Sequence, residues 1–116
     1  MTQHRIHRVA ELLRQAISDI VVYRIKDPRV QGITITDVQM SSDLKSARVY
    51  FSSLADGRAE FHLQGLTAAE GFIRRQLRLE LDLKYIPALA FFYDTSFDNF
   101  DRINKILKNI GPSENE

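Results

Sequence analysis

The sequence predicts a single α+β domain, and three observations support that prediction. The length of 116 residues is enough for one hydrophobic core and too short for two. Apolar residues recur at helical spacing near the N-terminus and alternate at strand spacing between residues 33 and 52. No apolar run approaches the roughly 20 residues that cross a membrane. The sequence also lacks cysteine and a secretory signal pattern, so we expect a cytoplasmic protein without disulfides.

The first element is predicted to be a long amphipathic helix over residues 3–25. Its apolar positions are spaced three and four residues apart, whereas polar and charged residues occupy the other side. The apolar positions are Ile6, Val9, Leu13, Ala16, Ile17 and Ile20. Asp27-Pro28 should end the helix, because proline disfavours α geometry in the residue before it.

Two strands are predicted next, and they should pair as a hairpin. The first covers residues 33–40 and is rich in β-branched side chains. Its alternation changes phase near Asp37, which indicates a bulge or an edge. Residues 41–44 have the composition of a turn, and residues 47–52 then alternate cleanly as the second strand.

The second half of the chain is predicted to contain two helical segments, a third strand and a last helix. Residues 58–83 read as helical with an interruption near residues 69–71, and residues 88–94 read as a strand. Asp98 is a candidate N-cap for the C-terminal helix, which Gly111-Pro112 should end. We therefore expect one domain over residues 1–110 and a short flexible tail over residues 111–116.

The interruption between the central helices is the most informative segment. Ala69, Glu70 and Gly71 lie there, and three basic residues follow, namely Arg74, Arg75 and Arg78. At about 100° per residue, the three arginines fall within roughly a third of the helix circumference. Two interpretations stay open. Either Gly71 only permits close packing beside a solvated face, or it kinks the helix beside a cationic patch suited to phosphates.

Charge is unevenly distributed, although the formal net charge is only +1. Residues 1–29 contain six basic and three acidic side chains, whereas residues 86–116 contain three basic and five acidic ones. This asymmetry points to a polyanionic partner that is met by one face of the protein.

Candidate catalytic groups are few in this sequence. We interpret His4 and His7 as surface residues rather than metal ligands. Phosphate-binding loops, dinucleotide fingerprints and zinc-protease motifs are all absent from the sequence. We expect no metal, no cofactor, no small-molecule substrate and no membrane partner. Phe91 and Phe92 have the chemistry to stack nucleic-acid bases, but in a strand only one of them faces outward.

The predicted element order, helix–strand–strand–helix–kink–helix–strand, is that of a type II KH-like domain followed by a C-terminal helix. The chain also resembles the bacterial ribosome-binding factor A family from about residue 5 to residue 107. The segments that carry the resemblance share their order and spacing with that family. They are residues 24–29 (RIKDPR), 33–44 (ITITDVQMSSDL), 47–51 (ARVYF), 69–74 (AEGFIR) and 87–96 (PALAFFYDTS).

The resemblance implies a non-enzymatic, monomeric assembly factor. Members of the family bind the free small (30S) ribosomal subunit late in maturation, aid processing of the 16S rRNA 5′ end and matter most in the cold. Their KH domain has an A-x-G kink in place of the G-x-x-G loop, which here is Ala69-Glu70-Gly71. One departure is the short C-terminal tail, since some relatives carry a longer charged extension.

With that partner, phosphate contacts are expected from basic residues near the kink and along the first helix. The predicted RNA-binding residues are Arg74, Arg75, Arg78, Arg5, Arg8, Arg24, Lys26 and Arg29.

Two alternatives remain at this stage. One is a general KH-type RNA-binding module that works away from the ribosome. The other is a small α+β hydrolase that uses Asp94 and Ser96, although no G-x-S-x-G elbow surrounds Ser96.

Overall fold

A computed structural model describes residues 3–53 and 57–96, and it confirms the predicted α+β fold. The predicted C-terminal helix and the tail lie outside the described residues. The helices are α1 (Gln3–Tyr23), α2 (Ala59–Ala68) and α3 (Glu70–Glu80), and a short 3₁₀ turn covers Pro28–Val30. The strands are β1 (Ile33–Met40), β2 (Ser46–Ser53) and β3 (Ala88–Tyr93).

The three strands form one sheet with β2 in the middle. β1 and β2 pair as the predicted antiparallel hairpin, and β3 lies parallel to β2 on its other side. The register shifts between Ile35 and Asp37, which confirms the bulge that the change of phase predicts. In the hairpin turn the Asp43 carboxylate accepts hydrogen bonds from the Ser41 hydroxyl and the Lys45 amide, at 2.6 and 3.0 Å.

Helix α1 packs its apolar side against β1 and α3. Ile6, Leu13, Ile17 and Ile20 are buried as predicted, whereas Val9 and Ala16 are only partly buried. Burying side chains of this size contributes about 1.5–3 kcal/mol each, so this stripe holds the helix in place. The helix ends at Tyr23, before the predicted end at residue 25.

The core lies on one face of the sheet. β2 directs Ala47, Val49 and Phe51 inward, and β3 adds Leu89 and Phe91. The residues between them point to the opposite face and are exposed or only partly buried, among them Arg48, Tyr50, Ala90 and Phe92. Phe91 is therefore the core member of the aromatic pair and Phe92 the outward one.

The central helical segment breaks at Ala69, within the predicted interruption. Ala69 has φ −90° and ψ 0°, and its amide donates to the carbonyls of Gly65 and Leu66 at 3.0 and 3.1 Å. Gly71 lies in the first turn of α3 and has no left-handed backbone. A β-carbon at Gly71 would meet only the Arg75 Nη1 atom, at 3.6 Å, which is ordinary contact. The break therefore does not depend on the conformational freedom of glycine at position 71.

Helix α2 is held against the 3₁₀ turn by two features that the sequence patterns did not reveal. A β-carbon at Gly65 would stand 2.4 Å from the Arg29 Cβ, so only glycine permits this approach. The buried His62 ring of α2 bonds both the turn and the end of β2, with Nδ1 2.7 Å from the Arg29 carbonyl and Nε2 2.9 Å from the Ser53 hydroxyl. Because a carbonyl only accepts, Nδ1 must carry the proton, and in the neutral ring Nε2 then accepts from Ser53.

We expect Gly65→Ala to lower the free energy of unfolding by about 1–3 kcal/mol, because the new methyl group overlaps the Arg29 side chain and crowds its backbone. Gly71→Ala is the matched control, and it should leave stability unchanged or raise it by up to about 1 kcal/mol, since alanine is the better helix former. Urea unfolding followed by circular dichroism measures both. A Gly65→Ala protein as stable as the parent would contradict the close approach of α2 to the 3₁₀ turn.

Candidate nucleic-acid interface

A cleft of about 360 Å³ opens where the end of α1 faces the junction between α2 and α3. We call it the cationic cleft. One wall belongs to the segment between α1 and the 3₁₀ turn, and the other belongs to the helix junction. Its lining residues are Arg24, Ile25, Lys26, Asp27, Arg29, Ala68, Ala69 and Phe72. The structure thus brings three predicted RNA-binding residues together with the first residue of the predicted kink motif, although the two walls are far apart in the sequence.

The three cations of the cleft differ in how firmly they are held. Arg29 bonds the Asp27 carboxylate through Nε and Nη2, with the shortest contact at 2.7 Å. Asp27 also accepts from the Arg29 amide and caps the 3₁₀ turn. These hydrogen bonds from Arg29 keep the pKa of Asp27 below its usual value and raise the pKa of Arg29. Arg29 is therefore largely committed to the turn.

Arg24 and Lys26 are more accessible. Arg24 donates to the Gln76 side chain at 3.0 Å and lies 3.7 Å from the Glu80 carboxylate, so it tethers α1 to α3. The Arg24 side chain is nevertheless 55% exposed, and such exposed pairs contribute little to stability. Lys26 is exposed and has no hydrogen bond or ion pair with any other described residue.

Two of the three arginines of α3 point outward near the cleft. Taking about 100° per residue, Arg75 lies about 60° from Phe72 around the helix axis, and Arg78 lies about 120° from it. The Arg75 guanidinium folds back toward Gly71, beside the helix junction. Neither arginine has a partner within residues 3–53 and 57–96, and both are exposed. Arg75 is thus placed to extend the cationic cleft along α3.

Arg74 points away from the cleft, and its guanidinium contacts other residues of the fold. Its Nη2 donates to the Ile86 carbonyl at 3.1 Å. Its Nε is buried 3.9 Å from a Glu70 carboxylate oxygen, which is within ion-pair distance but too long for a hydrogen bond. The same oxygen of Glu70 accepts the Leu89 amide at 3.0 Å. The pair therefore fastens α3 to the start of β3, so Arg74 is partly committed to the fold, unlike Arg75 and Arg78.

Arg5 and Arg8 lie at the opposite end of α1. The length of the helix, at about 1.5 Å per residue, puts Arg5 roughly 28 Å from Arg24. Arg5 and Arg8 line a shallow groove with Val9 and Leu12. The predicted RNA-binding residues therefore fall into two groups, and only the group at the C-terminal end of α1 adjoins the helix junction.

Asp94 and Ser96 form a closed turn rather than a nucleophilic site. The Ser96 amide and hydroxyl both donate to Asp94, at 2.9 and 2.6 Å. The Thr36 hydroxyl donates to the other carboxylate oxygen at 2.6 Å, which ties β1 to the end of β3. These bonds, led by the Ser96 hydroxyl, lower the pKa of Asp94. A serine that donates its proton to a carboxylate stabilised in this way is not prepared for nucleophilic attack.

The described part of the chain offers neither a metal cluster nor a membrane span. Among residues 3–53 and 57–96, no three histidine, aspartate or glutamate side chains are grouped to hold a metal ion. Of the helices described, none combines the length and the apolar character needed to cross a membrane.

Comparisons with known proteins agree on one family. A family model described as Ribosome-binding factor A matches residues 5–107. A relative of that name from Syntrophobacter fumaroxidans is 39% identical and aligns over 98% of this chain and 100% of its own length. The crystal structure of ribosome-binding factor A from Thermus thermophilus superimposes with a TM-score of 0.70 at 23% identity, covering 76% of this chain and 93% of that one. The T. thermophilus homology model fitted into the cryo-EM map of a 30S–RbfA complex gives a TM-score of 0.65 at 21% identity, covering 78% of this chain and 96% of that one.

We expect Arg74→Ala to lower the free energy of unfolding by about 1–2 kcal/mol, because it removes a charged hydrogen-bond donor and leaves Glu70 without its partner. Arg75→Ala, the matched control one position along the same helix, should change it by no more than about 0.5 kcal/mol. Urea unfolding of the two variants measures both changes in the free energy of unfolding. Equal stability would mean that Arg74 is as free as its neighbour.

Proposed function

The chain belongs to the ribosome-binding factor A family, and we propose that it binds the free small (30S) ribosomal subunit as a maturation factor. The proposal includes contact with 16S rRNA, help in processing the 5′ end of that RNA, and a role that matters most in the cold. It is supported by the full-length similarity to relatives named ribosome-binding factor A and by the structural similarity to a family member fitted into a 30S complex. The protein acts as a cytoplasmic monomer that needs no cofactor, metal or small-molecule substrate.

The cationic cleft is the observation that carries the proposed RNA contact. Its lining combines three basic side chains with the apolar side chains of Ile25, Ala69 and Phe72. Phosphate contacts supply affinity that does not depend on base sequence, since each one releases counterions. The helix junction has no G-x-x-G loop to clamp a single strand. A surface of this kind suits the folded shape of ribosomal RNA.

The charges of the cleft divide into those that shape it and those that contact RNA. Arg29 and Arg24 maintain the walls through Asp27, Gln76 and Glu80. Lys26 and Arg75 are free to meet phosphates, with Arg78 as an outer contact. Arg5 and Arg8 form a second contact area at the other end of α1. Arg74 is assigned to the fold, and Ala69, Glu70 and Gly71 position the helix junction rather than touch RNA through their side chains.

We expect the protein to co-sediment with free small subunits and to be largely absent from complete ribosomes. The interaction should weaken steeply between about 50 and 200 mM salt, because phosphate contacts release counterions. Sucrose-gradient sedimentation of the purified protein with each particle measures this. Equal recovery with complete ribosomes would contradict the proposal, and tight binding to free single-stranded RNA without binding to subunits would favour a general KH-type RNA-binding module.

We expect the double variant Lys26→Gln, Arg75→Gln to weaken binding to the small subunit and to reduce the slope of log affinity against log salt by roughly 1.5–2. The matched control is Lys45→Gln, Lys84→Gln, which removes the same charge from the hairpin turn and the α3–β3 loop. Both variants should remain folded, since the four side chains are exposed. Identical binding by the two double variants would mean that only overall charge matters and that the cleft is not the contact.

A further inference from the structure

The face of the sheet opposite the helices is open within the described part of the chain. It consists of the outward residues of three strands, and we call it the outer face. Across β1, β2 and β3 the register places Gln39, Arg48 and Ala90 in one row, and Asp37, Tyr50 and Phe92 in the next. Nothing in the proposed ribosomal contact through the cationic cleft uses these residues.

Two aromatic rings stand together on this face. Tyr50 and Phe92 are paired across β2 and β3, and their ring centroids lie 5.7 Å apart at an interplanar angle of 33°. Phe92 is 42% exposed, although its strand neighbour Phe91 is only 6% exposed. The pairing supports the two rings against each other and leaves ring surface open to solvent.

A cation accompanies the rings. Arg48 is exposed one row away, about 7 Å along β2 from Tyr50. Its Nη2 donates to the Gln39 side chain at 3.0 Å, which leaves most of its N–H groups without a partner among the described residues. Ala90 is the cross-strand partner of Arg48 and lies two positions before Phe92, so its small side chain leaves space beside both.

We propose that the outer face binds single-stranded RNA by stacking a base on the Phe92–Tyr50 pair while Arg48 contacts an adjacent phosphate. Aromatic rings with a neighbouring arginine are the combination that binds unpaired nucleotides without strong sequence preference. An apolar protein partner fits less well, because polar Thr34, Gln39 and Ser52 surround the rings. The negative charge of Asp37 is partly satisfied, since its carboxylate accepts the Val38 amide at 2.9 Å.

This inference rests on the proposed function in one respect, namely that the partner is RNA. The two proposed RNA contacts lie at different places on the protein, because the cationic cleft lies among the helices and the outer face lies on the other side of the sheet. The protein would thus contact RNA on both sides, with phosphates of folded RNA in the cleft and an unpaired nucleotide on the sheet.

The test is binding of a fluorescent single-stranded RNA octamer, oligouridylate, to the full chain at low salt. Phe92→Ala and Phe92→Leu should each lower the affinity by roughly 5-fold to 100-fold, since each removes one stacking ring. Phe92→Leu retains apolar bulk and guards against a loss caused by misfolding. Tyr85→Ala is the matched control, because Tyr85 is 53% exposed and has Lys84 above its ring, but lies outside the sheet. It should bind like the parent.

Proton chemical shifts of the Phe92 and Tyr50 rings should move on addition of the octamer, whereas those of the buried Phe51 ring should not. Unchanged affinity in both Phe92 variants, or no binding by the parent, would overturn the proposal. A drop of more than about 5 °C in the thermal midpoint of Phe92→Ala, without an effect on RNA binding, would mean that the ring serves the fold rather than RNA and would also overturn the proposal. Sedimentation with small subunits is a separate measurement. If the parent protein binds subunits but not the octamer, the outer-face proposal is contradicted and the proposed function is not.

Discussion

The close contact between α2 and the 3₁₀ turn is the constraint on which the rest of the structure depends. Gly65 lets the two elements approach, and the His62 Nδ1 atom bonds the Arg29 carbonyl across the contact, while Nε2 ties α2 to the end of β2. Arg29 takes part through its Cβ and its carbonyl rather than its charge. Because α2 leads into the junction at Ala69, this contact sets how far Ala68 and Ala69 stand from Lys26. The shape of the cationic cleft therefore follows from the packing of α2 against the 3₁₀ turn, and the basic side chains then give the cleft its charge.

Pairing within the fold decides which basic residues remain available for a partner. An arginine with two carboxylate bonds loses part of its attraction for phosphate, because a phosphate must displace or share the existing partner. Arg29 is in that position with Asp27, and Arg74 is turned toward Glu70 and the Ile86 carbonyl. Lys26 and Arg75 carry the same formal charge without such partners among the described residues. Counting charges in the sequence therefore does not tell which cations are already paired within the fold.

The elements were predictable because periodicity reports burial directly. The stripe of α1, the bounds of β1 and the bulge near Asp37 follow from which residues are apolar, and burial in the structure matches them. The roles of individual arginines were not predictable, since adjacent positions on a helix differ by about 100° and tertiary neighbours decide which one is used. Arg74 and Arg75 show this difference. Gly65 carried no local sign of its importance either, because the residues that it contacts, Arg29 and Val30, lie far earlier in the chain.

The bulge in β1 links the buried side of the sheet to its outer face. Ile35 and Val38 both point into the core although an odd number of positions separates them, which strict alternation forbids. The extra residue absorbs the change of phase, so Asp37 pairs with Tyr50 on the outside while Val38 stays inside opposite Val49. Without the bulge, the second half of β1 would turn Val38 and Met40 outward beside the aromatic pair. The bulge that completes the core therefore also keeps the surroundings of Tyr50 and Phe92 polar. The two rings are an isolated apolar feature on the outer face.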